Sequence, residues 1–60
     1  MNFLEAVKAA DKGAGIRLSD WDEGEGYLIK EGMYLVWNET RARYTPVIFS
    51  ILRDDWEVVE

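Results

Sequence analysis

The stretch that most restricts the fold is residues 27–38, YLIKEGMYLVWN. Two apolar runs flank Glu31-Gly32, a pair short enough for a two-residue turn. Gly32 tolerates the positive φ such turns need, although Glu31 matches it poorly. The reading is a β-hairpin in which Lys30 faces Met33, Ile29 faces Tyr34, Leu28 faces Leu35 and Tyr27 faces Val36. Side chains alternate along a strand, so Leu28, Lys30, Met33, Leu35 and Trp37 share one face. Tyr27, Ile29, Tyr34, Val36 and Asn38 share the other. A hairpin with one solvated side alternates apolar with polar residues, and this one is apolar on both sides. Each face needs a cover, and a chain of 60 residues readily supplies one.

That length makes a single domain, 1–60, with a marginal core, because a chain this size buries only about 60% of its unfolded surface. Small scaffolds add disulfides, a metal or a partner copy. The chain has no cysteine and no histidine. Disulfides, thiolate metal sites and the commonest general base are therefore excluded, and oligomerisation is the remaining device. The apolar content of 48% argues against disorder. A net charge of −5 disfavours direct contact with nucleic acid or anionic lipid and suits solubility or a basic protein partner. With no apolar run long enough to span a bilayer and no signal-like N-terminus, a cytosolic protein is expected.

The elements follow in order. Asn2 caps a helix over about residues 3–12, with Glu5 in its first turn, Lys12 in its last and Gly13 just beyond. Phe3, Ala6, Val7 and Ala10 form its apolar stripe. Residues 15–21, GIRLSDW, read as a strand with Ile16 and Leu18 on one face and Arg17, Ser19 and Trp21 on the other. That second row is either a solvated face with a half-covered indole or a site for stacking and anion binding, since arginine offers a planar donor fork for phosphate. Residues 22–26, DEGEG, form an acidic loop without the ligand spacing of a calcium site or the pattern of a phosphate loop. Arg41 and Arg43 alternate in a polar link, as surface solubilisers or as further anion contacts. Thr45-Pro46 resembles a helix N-cap followed by proline at the first helical position. Residues 46–52 then form either a short helix, with Val47, Ile48, Ile51 and Leu52 on one side, or a strand. Asp54-Asp55 leads into a last strand, 56–59, with Trp56 in the core and the aspartates turned towards Arg17 or Arg53. The expected fold is α+β: an N-terminal helix packed on a small antiparallel sheet of about four strands, with a short second helix before the last strand.

The order of these features resembles a family of small phage anti-defence proteins that includes the Thoeris anti-defence sponges and a related anti-CRISPR. The residues that carry the likeness are Asn2-Phe3-Leu4-Glu5-Ala6 opening a helix, Ile16-Arg17 followed by Trp21, Gly32-Met33-Tyr34-Leu35 leading a strand, and Leu52 with the closing Asp54-Asp55-Trp56-Glu57-Val58-Val59. The resemblance implies an oligomeric α+β protein, cytoplasmic in an infected bacterial host. It also implies sequestration of a cyclic ADP-ribose-type signal or cyclic oligonucleotide without turnover. Trp21 matches a position near the ligand in that family, and Arg17 a position beside it. The chain is shorter than typical members between the middle strands and the closing motif.

Three functions follow. In the first, bases or riboses stack on Trp21, Trp37 or Tyr34, and phosphates are held by Arg17, Arg41 or Arg43, with Ser19 in the same row. The partners are then a nucleotide-derived signal and further copies of the chain, with no membrane, no nucleic acid and no cofactor. In the second, the acidic loop 20–25 enters a basic groove of a host nuclease. In the third, the chain is a structural accessory with no small ligand. Catalysis is not expected, because Ser19 and Ser50 lack a base and adjacent Asp54 and Asp55 make a poor dyad.

Overall fold

A computed structural model describes residues 1–59, the Glu23 side chain excepted. Helix α1 spans Phe3–Asp11, and strands β1, β2 and β3 span Gly15–Leu18, Leu28–Glu31 and Tyr34–Trp37. A short helix α2, Ile48–Leu52, precedes β4, Trp56–Val59. One 3-10 turn, Glu23–Glu25, lies in the acidic loop. The sheet is antiparallel in the order β3-β2-β1-β4. The α+β architecture expected from the sequence is the one observed. No helix among the described residues is long and apolar enough to cross a membrane.

Helix α1 starts where its sequence says it should. The Asn2 side chain accepts from the Glu5 N–H at 2.8 Å, and the Glu5 carboxylate accepts from the Asn2 N–H at 3.0 Å. This reciprocal box satisfies two donors that a helix start otherwise leaves open. Lys12 closes the helix and Gly13 follows at φ +102°, a conformation that glycine adopts at little cost. Ala6 and Ala10 are buried against Ile16, Leu18, Leu28 and Trp56, and these six make the core. Small alanines let the helix backbone approach the sheet, so the bulk of the core comes from the strands.

The hairpin forms, but its turn is Gly32-Met33, not Glu31-Gly32. Glu31 is the last residue of β2 and pairs with Tyr34, Lys30 with Leu35, Ile29 with Val36 and Leu28 with Trp37. Gly32 has φ +63° while Met33 does not have positive φ. A positive φ at the first central residue alone is the requirement of a type II′ turn, which glycine meets there. Moving a two-residue turn by one position moves every pairing by two. The parity of the pairs is kept, so Leu28, Lys30, Leu35 and Trp37 still share a face. Met33 has left it for the tip.

The first strand is shorter than its pattern suggests. It stops at Leu18, and Ser19-Asp20 turn, with the Trp21 N–H donating to the Leu18 carbonyl at 3.1 Å. Alternation ends there, so Trp21 does not continue the row of Arg17 and Ser19. It swings to the helix side and packs against the core. Its ring lies 5.1 Å from that of Trp37 and 5.8 Å from that of Trp56, and Tyr44 meets both Trp21 and Trp37 edge-on. Helix α1 contacts β1, β2 and β4 but not β3. The Trp21, Trp37 and Tyr44 rings roof the part of that face which the helix leaves bare.

The segment before β4 departs further from expectation. Residues 44–47 are irregular, α2 begins only at Ile48, and its N-cap is Val47 without a side-chain bond. Thr45 and Pro46 therefore lie outside the helix, and the cap position falls on Val47, whose side chain has no hydrogen-bond acceptor. Helix it is, rather than strand, but none of its residues is buried. At the outer edge of β4, Met1 and Trp56 exchange backbone hydrogen bonds at 2.9 and 3.0 Å. The N-terminal residue thereby occupies part of a free strand edge, one way of blunting it.

Candidate functional site

The face of the sheet away from α1 carries Arg17 and Glu57 on one half and Ile29, Glu31, Tyr34 and Val36 on the other, as the registers require. A third row is added beside β3. Residues 38–40 turn, Trp37 donates to the Ala42 carbonyl and Tyr44 to the Leu35 carbonyl, and Arg43 bridges to Val36 in antiparallel sense. This bridge puts Arg43 on the same face as Val36. Arg41 has φ +62°, an uncommon value for a side chain larger than glycine. It is held there by its N–H donating to the Trp37 carbonyl at 2.9 Å.

Together these residues form a concavity of about 370 Å³ lined by Glu31, Tyr34, Val36, Arg41 and Arg43. Val36 is its buried floor, and the four polar or aromatic side chains form exposed walls. The Arg43 guanidinium carbon sits 3.7 Å from the Tyr34 ring centroid, a stacked cation–π contact. Arg41 approaches Glu31 at 3.6 Å. Arg17, Arg41 and Arg53 each have a carboxylate within ion-pair distance, and among the described residues Arg43 has none. Its outer N–H groups are free to take an anion.

The residues singled out in the sequence divide into four places. Tyr34, Arg41 and Arg43 come together in the concavity. Arg17 shares the face but lies two strands away on β1, with its Nε donating to Glu57 at 2.8 Å. Ser19 donates to Asp55 at 2.7 Å, and Asp55 also receives both Nε and Nη2 of Arg53. The bonds from Arg53 first and Ser19 second pull the Asp55 carboxyl down to about 2, and those to Asp55 first and Asp20 second raise the Arg53 guanidinium further. The Asp55–Arg53 pair ties the β1 end to the start of β4 and is one of the pairings expected of the two aspartates, whereas Asp54 makes no ion pair among the described residues and Arg17 is taken by Glu57. Trp21 and Trp37 belong to the aromatic roof on the opposite side of the sheet.

Glu31 and Val36 were not singled out as site residues. Glu31 was read as a turn residue, and the one-residue move of the turn brings it into the strand facing Arg41. Val36 was assigned to the correct face, but nothing in its identity marks a floor. The alternation of Arg41 and Arg43 was the usable signal, and both side chains do lie on one side. Among the described residues no group of three or more acidic side chains is placed to hold a metal ion. Compared with protein-family models, curated proteins and solved structures, the chain matches none.

Proposed function

We propose that the chain is a non-enzymatic binding protein that sequesters a nucleotide-derived signal, of the cyclic ADP-ribose type or a cyclic oligonucleotide, as a phage anti-defence protein in the bacterial cytoplasm. The observation that supports this reading is the joining of Tyr34, Arg41, Arg43 and Glu31 over the apolar floor of Val36. Two guanidinium forks suit phosphate oxygens. The stacked Arg43–Tyr34 pair offers a flat surface to a base. Glu31 accepts from ribose hydroxyls or an exocyclic amine. The volume falls at the lower end of the roughly 300–1,000 Å³ usual for small-molecule sites. Stacking contributes about 1–3 kcal/mol per base, and hydrogen bonds to charged groups add about 1.5–3 kcal/mol each. The net charge of −5 opposes an anion at long range, so affinity depends on the two arginines close by.

Calorimetry with cyclic ADP-ribose isomers and cyclic oligonucleotides tests the reading. At least one should bind with saturable heat, and Arg43→Ala should weaken it roughly tenfold or more, the loss of one charge-assisted contact. Trp21→Phe should leave the affinity unchanged. Absence of heat with every ligand at high protein concentration overturns the proposal.

A second reading, an acidic inhibitor of a basic host nuclease, is favoured by the loop after β1. Asp22 and Glu25 are exposed there and make no ion pair among the described residues. Asp20 is already held by Arg53 at 3.2 Å. Inhibition lost on neutralising Asp22 and Glu25, and kept in Arg43→Ala, would favour it over sequestration.

A further inference from the structure

Helix α2 presents a surface that the ligand reading does not use. Val47, Ile48, Phe49, Ile51 and Leu52 are 61%, 71%, 82%, 41% and 75% exposed. The helix is tethered through its backbone, with the Trp56 indole N–H donating to the Ser50 carbonyl at 3.0 Å. It also touches α1, with Ile51 the most covered of its apolar side chains, and Ile48, Phe49 and Leu52 are left facing water. Five residues without a side-chain cap make a helix with little intrinsic stability, so its conformation depends on what it touches. The five side chains expose on the order of 600 Å² of apolar surface, at the upper limit of what a typical monomer shows in one patch.

Charge indicates what fits there. Residues 44–52 contain no charged side chain, in a chain with 7 basic and 12 acidic ones. A basic partner would be attracted to the acidic loop, not to this neutral patch. Copies of a chain with net charge −5 repel each other, and an uncharged face is where that repulsion is least. An isologous contact needs a surface compatible with itself, which a neutral apolar helix is. A standard interface takes about 800 Å² from each partner, and the patch supplies most of that. We propose that α2 is the contact between two copies of this chain, packed across a two-fold axis with Phe49 and Leu52 at its centre. The open sheet face and its concavity then remain free, and the proposal stands apart from the ligand reading.

Sedimentation equilibrium over micromolar to submillimolar concentrations tests it. The chain should run at twice its 7.0 kDa mass. Phe49→Asp combined with Leu52→Asp should run at the single-chain mass with an unchanged far-ultraviolet circular dichroism spectrum. Met33→Asp alters an equally bare apolar side chain, 93% exposed at the hairpin tip, and should leave the dimer intact. Should the double aspartate variant not fold, Phe49→Ala should still raise the dimer dissociation constant by roughly tenfold or more. A wild-type chain that stays at its own mass throughout overturns the proposal. So does a dimer indifferent to substitutions at Phe49 and Leu52.

Discussion

Asp55 is the most heavily committed carboxylate among the described residues. It accepts from Ser19 on one side and from two nitrogens of Arg53 on the other. Its carboxyl titrates near 2, below its ordinary 3.8, because the anion is the form those donors stabilise. The folded chain therefore holds this proton less tightly than the unfolded one. The resulting stabilisation is fully present above the ordinary carboxylate range and is lost as the pH falls from about 4 towards about 2. Arg53 is held charged by the same contacts and stays so across that window. Thermal melts from pH 6 to pH 2 check this. Asp55→Asn should lower the melting temperature at pH 6, and the gap to wild type should close as pH 2 is approached. A gap that stays constant would show that the ion pair contributes nothing to the pH dependence. The aspartate pair was readable in the sequence as a partner of a nearby arginine. That only Asp55 takes one, and that Arg17 goes to Glu57 instead, was not readable, because Glu57 reaches Arg17 only through the β1–β4 register.

Elements were legible to the extent that local chemistry determined them. The Asn2 cap of α1 and the first-turn Glu5 were legible and are present; the bond Glu5 returns to the Asn2 N–H, which makes them a capping box, was added by the structure. Asn2→Ala should destabilise the protein by about 1 kcal/mol, measured as a lower midpoint in urea, while Glu5→Gln, which keeps the returning acceptor, should cost less. Equal effects would mean that the cap acts through charge rather than through the paired hydrogen bonds. The hairpin was legible in its faces but not in its pairing, since both candidate turns contain Gly32 and preserve parity. The short second helix was the least legible element. Its sequence is β-branched and aromatic, its cap is absent, and besides touching α1 it is held through its backbone by the indole of Trp56, several residues further on. No local pattern contains that partner. Its exposed side chains were unexpected for the same reason: periodicity assigned them to one side without saying whether that side was filled.

At the scale of the whole molecule, the sheet is a partition. One side holds α1, the six-residue core and the aromatic roof, and the other holds the concavity. The two apolar faces of the hairpin anticipated this division, but their covers differ from expectation. Trp21 and Tyr44, together with α1, close the first. On the second, the Tyr27 ring lies over Gly15 so closely that a methyl group at Gly15 would sit 2.5 Å from it, and Val36 is buried beside the row of Arg43. The large unfilled apolar surface is elsewhere, on α2. The shared placement of Tyr34, Arg41 and Arg43 in the candidate site was legible where alternation survived. The placement of Trp21 was not, because its strand ended early.

The partition also has an optical consequence. All three tryptophans, Trp21, Trp37 and Trp56, lie in one cluster on the helix side. Indole emission therefore reports on the core, while the concavity opposite is seen only by tyrosine. A nucleotide seated on Tyr34 and Arg43 should leave the long-wavelength emission largely unquenched, although base rings quench indoles on contact. A ligand that extinguishes that emission would have to be touching Trp21 or Trp37. A single fluorescence titration thus tells which side of the sheet is occupied.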